Sequence, residues 1–121
     1  MEFRKVCKLT IYTGEDVLLD DKPFYKAVVN KTKELGLGGA TVVMGKSGFA
    51  ITKRGAESAM SKFFSGNYNA PMIIIIIDLR EHIEKILPFL EQHAAHSLVT
   101  LSETEILITD YLRQKFKYYK E

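Results

Sequence analysis

Met72-Ile73-Ile74-Ile75-Ile76-Ile77-Asp78, five isoleucines in a row between a methionine and an aspartate, is the stretch on which the fold turns. A half-buried strand alternates apolar and polar side chains, and this one does not. Isoleucine favours extended backbone, and a continuous short apolar run reads as a strand covered on both faces. The run is far too short for a bilayer span, which takes ~20 residues as a helix. Something must therefore pack on each side of the sheet to which it belongs.

Working outward, residues 5–12 (KVCKLTIY) place Cys7, Leu9 and Ile11 on one face of a strand, with Val6, Lys8, Thr10 and Tyr12 on the other. The stretch TGEDVLLDDK reads as a loop, and the pair Asp20-Asp21 suits the start of a helix with Pro23 in its first turn. Phe24, Val28, Thr32 and Leu35 then recur at helical spacing, and Gly36 ends the helix. A second strand lies in GATVVMG, where Ala40, Val42 and Met44 oppose Thr41 and Val43. Residues 46–69 lose all periodicity, with room for a short helix near Ala56 to Phe64, and form a long excursion before the isoleucine strand. With few periodic apolar positions, residues 50–69 are expected to be the most mobile internal segment.

After the isoleucines, Asp78 is expected to cap a helix whose Ile83, Ile86, Leu87, Leu90 and Ala94 share one face, with a kink or the local loss of one backbone bond at Pro88. LVTLSETEILI supplies a fourth strand, and the basic, aromatic tail 109–121 is either a short helix or a frayed end. The order β-α-β, long loop, β-α-β predicts an α+β chain of the ferredoxin-like (βαββαβ) kind: an antiparallel sheet with two helices on one face. We read residues 1–121 as one domain with its core at about 5–108. The second sheet face would be bare, and the isoleucines argue against leaving it so; a contiguous apolar patch marks an interaction surface, here for another copy of the chain.

The chain of 121 residues carries 17 basic and 15 acidic side chains, a net charge of +2. That bias is too small to argue for nucleic acid. Cys7 is the sole cysteine, so no intrachain disulfide forms and a reducing compartment fits; its place in a strand reads as a buried thiol. The N-terminus MEFRKVCKLTIY lacks the apolar core of a signal peptide, so we expect a cytoplasmic protein with no membrane insertion.

Three histidines raise the question of a metal. On one continuous helix His82, His93 and His96 would fall within a ~60° arc, but at ~1.5 Å rise per residue His82 lies too far from His93 to share an ion. No carboxylate or cysteine stands at ligand spacing near His93 and His96, so these read as surface histidines. Gly45-Lys46-Ser47-Gly48 lacks the full spacing of a nucleotide phosphate loop. Its glycines would still let amides face an anion, with Lys46, Lys53 and Arg54 supplying charge; a glycine turn into a solvated basic loop is the other reading. Glu15-Asp16 and Asp20-Asp21 read as solvated charges and caps, and one aromatic, basic tail is poor support for single-strand binding. No nucleophile–base pair or catalytic carboxylate pair is legible, so an enzyme is not expected.

The runs LTIYTGED (9–16), KPFYKAVVNKTKELGLGGATVVMGKSGFA (22–50) and SLVTLSETEI (97–106) resemble a PII-like family, domain of unknown function 190, over about residues 6–108. Pro23 to Phe49 is the most specific part of the resemblance. It implies ferredoxin-like protomers that form trimers through their sheets, adenine nucleotides such as ATP or ADP in clefts between subunits, and a long loop that engages partner proteins. The PII pattern Gly-x-Thr-Val stands here as Gly39-Ala40-Thr41-Val42, which implies that Thr41 meets the adenine. The PII Gly-Phe-Gly stands one residue further along as Gly48-Phe49-Ala50, implying phosphate near the backbone of Gly48 and Phe49 and so beside the Gly45–Ser47 turn read above. Departures are clear: Ala50 replaces a glycine, His93-Ala94-Ala95-His96-Ser97 stands where PII proteins carry a phosphate-binding loop, and Glu103 and Glu105 stand in place of terminal arginines.

The function expected is thus a trimeric PII-like regulator that binds a small anionic ligand at subunit boundaries and acts on a transporter or enzyme through residues 46–69. The alternative is a ligand-free assembly or protein-interaction module. An enzyme acting on a phosphorylated small molecule ranks third.

Overall fold

The computed structural model describes residues 1–46 and 70–120, and all structural statements below concern these. In chain order the elements are β1 (Phe3–Gly14), β2 (Leu18–Leu19), β3 (Lys22–Pro23), α1 (Phe24–Glu34), β4 (Thr41–Met44) and β5 (Pro71–Asp78). They are followed by α2 (Arg80–Ile83), α3 (Leu87–His93), β6 (Leu98–Leu107), α4 (Asp110–Lys115) and a 3₁₀ turn at Lys117–Tyr119. Four strands form one antiparallel sheet in the order β4-β5-β1-β6, the ferredoxin-like arrangement.

The isoleucine strand lies inside that sheet, between β4 and β1. Its register pairs Leu9 with Ile76 and Ile11 with Ile74, and these four side chains are fully buried. Phe24 and Val28 of α1, with Ile83, Ile86 and Leu90 from the α2–α3 region, close over them as one core. The expected helical stripe in α1 holds, with Phe24, Val28 and Thr32 buried. Ile73, Ile75 and Ile77 point to the other side of the sheet, where Ile77 is 43 % exposed against 0 % for Ile76.

Four local expectations are corrected. Asp16, read as a solvated charge, is buried at 5 % exposure. Asp20 and Asp21 do not start a helix. They form the two-residue turn of a β2–β3 hairpin, both at positive φ (52° and 65°), the geometry of a type I′ turn, which aspartate tolerates better than most residues. The chain 13–22 is thus not simply a loop, and α1 begins directly after Pro23. Asp78 is not a helix N-cap either; Leu79 holds that position, and Asp78 is the last residue of β5. The helix after it breaks rather than kinks. Pro88 sits in the first turn of a new helix, α3, because a proline amide cannot supply the bond that a continuous helix would need there.

The tail is folded. Thr109 caps α4 by accepting from Leu112 N–H (3.2 Å). Beyond it Tyr119 is buried, with the Arg4 guanidinium 5.6 Å from its ring centroid, and Arg4 Nη1 donates to the Tyr118 carbonyl at 2.6 Å. Phe116, Tyr118 and Tyr119 pack on one another with centroids 4.7–6.0 Å apart.

Two outcomes follow. Ile76→Ala should cost ~2–5 kcal/mol in urea unfolding, whereas the same change at half-exposed Ile77 should cost under ~1 kcal/mol in protomer stability. Burial first, then the Asp78 charge and Tyr119, push the Tyr118 phenol up to about 12. Docking therefore favours its neutral form: the stabilisation is complete below pH ~10 and is lost as pH rises toward the folded value. A phenolate absorbance titration should show a late step that shrinks in Tyr118→Phe.

Candidate functional site

The sheet register sorts the helix-free face into rows. At one end Val43, Ile73, Tyr12 and Leu98 stand side by side across all four strands. Val43, Tyr12 and Leu98 are 44 %, 45 % and 61 % exposed, so this row is an open apolar band. The next row is Thr41, Ile75, Thr10 and Thr100, polar except for the isoleucine. Beyond it come Ile77, Lys8 and Ser102, which bring a cation onto the face. Thr41 thus lies at the outer edge of this face, exposed, one row from the apolar band.

β4 is held at both ends. At its far end Gly45 N–H donates to the Pro71 carbonyl at 2.7 Å, and a Cβ on Gly45 would come within 3.3 Å of the Pro71 ring. That close approach is what glycine permits here. It also corrects one detail: the Gly45 amide is committed to the sheet and does not point at an anion. Lys46 is exposed beside it. The chain returns at Ala70, buried, whose carbonyl accepts from Glu15 N–H at 2.9 Å. Ser47, Gly48, Phe49, Lys53 and Arg54 lie outside the described residues, as do Ala50, the helix considered near Ala56–Phe64 and the segment 50–69 expected to be mobile.

At its near end β4 is reached through Leu37, Gly38, Gly39 and Ala40. Gly36, at φ 75°, closes α1, and Leu37 N–H donates to Thr32 O at 3.0 Å. Gly38 N–H then donates to Asp78 Oδ2 at 2.8 Å. Asp78 is 1 % exposed, and a carboxylate so buried needs its oxygens occupied. Its Oδ1 accepts from Leu79 N–H (2.7 Å) and lies 2.8 Å from His82 Nδ1. The His82 ring in turn meets Tyr118 edge-on, centroids 4.8 Å apart. This cluster was missed in the sequence. Its trace there is a single acid ending five isoleucines, with a histidine four residues later on the first helical turn.

The turn from α3 into β6 is short. His96 takes φ 54°, and Ser97 Oγ shares a hydrogen bond with Thr13 Oγ1 of β1 (2.8 Å). The three histidines do not share a helix, as the arc argument assumed: His82 is in α2, His93 ends α3 against Phe89 (5.0 Å) and His96 lies in the turn. Among the described residues no three histidine, cysteine or acidic side chains gather to hold a metal ion. Glu103 and Glu105 stand on β6 opposite Cys7 and Lys5, and Cys7 is buried. No helix among the described residues is long and apolar enough to cross a membrane.

Comparison with known proteins places these features. The sequence profile of domain of unknown function 190, described as an uncharacterized ACR, matches residues 6–106. A UPF0166 protein of Aquifex aeolicus is 37 % identical over 101 residues, covering 82 % of this chain and 90 % of its own. A UPF0166 protein of Methanocaldococcus jannaschii is 32 % identical over 102 residues, covering 84 % and 85 %. Among solved structures, a PII-like signaling protein of Thermus thermophilus superposes with a TM-score of 0.60 at 16 % identity, over 88 % of this chain and 94 % of the other. The nitrogen regulatory PII-like protein CPII of Thiomonas intermedia, bound to ADP, AMP and acetate, superposes with a TM-score of 0.52 at 18 % identity, over 88 % and 93 %. At those identities the structures speak for the fold, and the sequence relatives for the family: this chain belongs to the domain of unknown function 190 family and has the PII-like ferredoxin fold.

Proposed function

We propose that the chain is a PII-like regulatory protein that binds a small anionic ligand, an adenine nucleotide such as ATP or ADP, beside β4. The observation that carries this reading is the position of Thr41: it projects from the edge of the helix-free face, one row from an open apolar band, where a neighbouring copy would complete a cleft. The Thiomonas intermedia neighbour with the same fold has been solved with ADP and AMP, which supports the choice of ligand. In this reading Thr41 meets the base, the chain from Lys46 through Ser47, Gly48 and Phe49 takes the phosphates, and Lys46, Lys53 and Arg54 supply charge. Gly45 permits the close approach of β4 to Pro71 just before this chain begins. The short α3–β6 turn and the acids Glu103 and Glu105 replace features of a full PII site, so binding is weaker than such a site gives.

Assembly follows from the same face. The apolar band and the half-buried Ile73 and Ile75 are covered when three copies pack sheet to sheet, each buried isoleucine contributing ~1.5–3 kcal/mol. The trimer is a cytoplasmic regulator, not an enzyme, and acts on a transporter or enzyme through residues 46–69.

Titration calorimetry with ATP, ADP and AMP tests the ligand. Binding should weaken as salt rises and should drop in Thr41→Val and in the pair Lys46→Ala with Arg54→Ala. Unchanged affinity in all of these would place the site elsewhere, and no binding at millimolar nucleotide would favour a ligand-free interaction module. Sedimentation equilibrium should give a trimer at micromolar concentration, and Tyr12→Lys or Ile75→Asp should dissociate it. A stable wild-type monomer would refute the assembly.

A further inference from the structure

The C-terminal tail and β4 meet at one buried carboxylate. Among the described residues β4 is a short edge strand, paired with β5 alone through four residues. Its approach from Leu37 to Ala40 lies outside the ladder: Leu37 is held by its N–H bond to Thr32 O (3.0 Å), and Gly38 by the bond from its N–H to Asp78 Oδ2 (2.8 Å). That bond survives in competition with water only while the carboxylate stays dry. Asp78 is 1 % exposed, and part of what covers it is the tail: Tyr118 stands edge-on to His82, the third partner of the carboxylate, and its hydroxyl lies 3.7 Å from where a Gly38 Cβ would be. The tail is itself held from another strand, by Arg4 of β1 at the Tyr118 carbonyl (2.6 Å) and over the Tyr119 ring (5.6 Å).

We propose that Asp78 is a positioning residue that links the docked tail to β4: Tyr118 shields the Asp78–His82 pair, which holds Gly38 and so fixes the strand that carries Thr41. Undocking the tail admits water to the carboxylate, loosens Gly38 and lets the start of β4 fray. Linkage is reciprocal, so a ligand that orders β4 also tightens the tail. The second statement rests on the nucleotide reading above; the first does not.

Hydrogen exchange on the full-length protein separates the two. In Tyr118→Ala, exchange at residues 38–42 should accelerate about five-fold or more, the low end of typical inter-site coupling. Exchange at Leu9, Ile74 and Ile76 in the core should stay at the wild-type rate. Tyr118→Phe, which keeps the ring over His82, should restore slow exchange at 38–42. Should Tyr118→Ala fail to fold, Arg4→Gln releases the tail from a point remote from Asp78 and should give the same local acceleration. A tail that exchanges faster in these variants while residues 38–42 do not would overturn the proposal, as would a tail that neither substitution releases. With ADP, the wild type should show slower exchange at residues 116–120, and Tyr118→Ala should bind ADP about five-fold more weakly. If the wild type does not bind ADP, the nucleotide reading fails, and exchange at 38–42 still decides the link.

Discussion

Five consecutive isoleucines in an interior strand impose a demand on both faces of a sheet, and the rest of the molecule is arranged around meeting it. One face is met within the chain. Ile74 and Ile76 lie under Phe24, Val28, Ile83, Ile86 and Leu90, which fixes the register of β5 on β1 and the placement of the helices on that face. A slip of one residue would exchange the two sets of isoleucines without changing their chemistry, so the run alone does not choose its register. Its neighbours choose it. Leu9 and Ile11 alternate with Lys8, Thr10 and Tyr12, and that alternation says which side of the sheet is core.

The other face is graded rather than uniformly apolar. A band of Val43, Ile73, Tyr12 and Leu98 gives way to a threonine row and then to Lys8. The face is therefore apolar at one end and polar at the other. It also gives Thr41 its setting, on a row between the two. The chain's family and its PII-like fold are established independently of that face.

Where β5 ends, the apolar logic ends with it. Asp78 replaces the next buried isoleucine, and a charge at 1 % exposure obliges the structure to bring donors to it. Those donors come from three places: the approach to β4, the first residue after the strand, and α2. The tail then covers the cluster. One acid thereby organises the end of the sheet that leads into the candidate site, and it draws His82, which the sequence left as a surface histidine, into the cluster.

The strand and helix periods, the ferredoxin-like order and a disruption at Pro88 are legible in the sequence alone, because each is written in local spacing and backbone chemistry; that the disruption ends one helix and starts another was not. Phe24, Val28 and Thr32 mark a helix face whatever they pack against, and a proline denies its amide to any helix. Tertiary structure alone decided the remainder. Asp20-Asp21 fits a helix start and a type I′ turn equally well by composition; the pairing of Leu18 with Pro23 and Leu19 with Lys22 selected the turn. Asp78 looks like a helix cap because caps are short-range, and its true partner Gly38 lies forty residues away in sequence. Whether Gly45 offers its amide to an anion was settled by the carbonyl of Pro71, which only the folded sheet brings within 2.7 Å. Local patterns carry what a residue's own backbone and nearest neighbours dictate; hydrogen bonds between distant segments exist only once the core has brought those segments together.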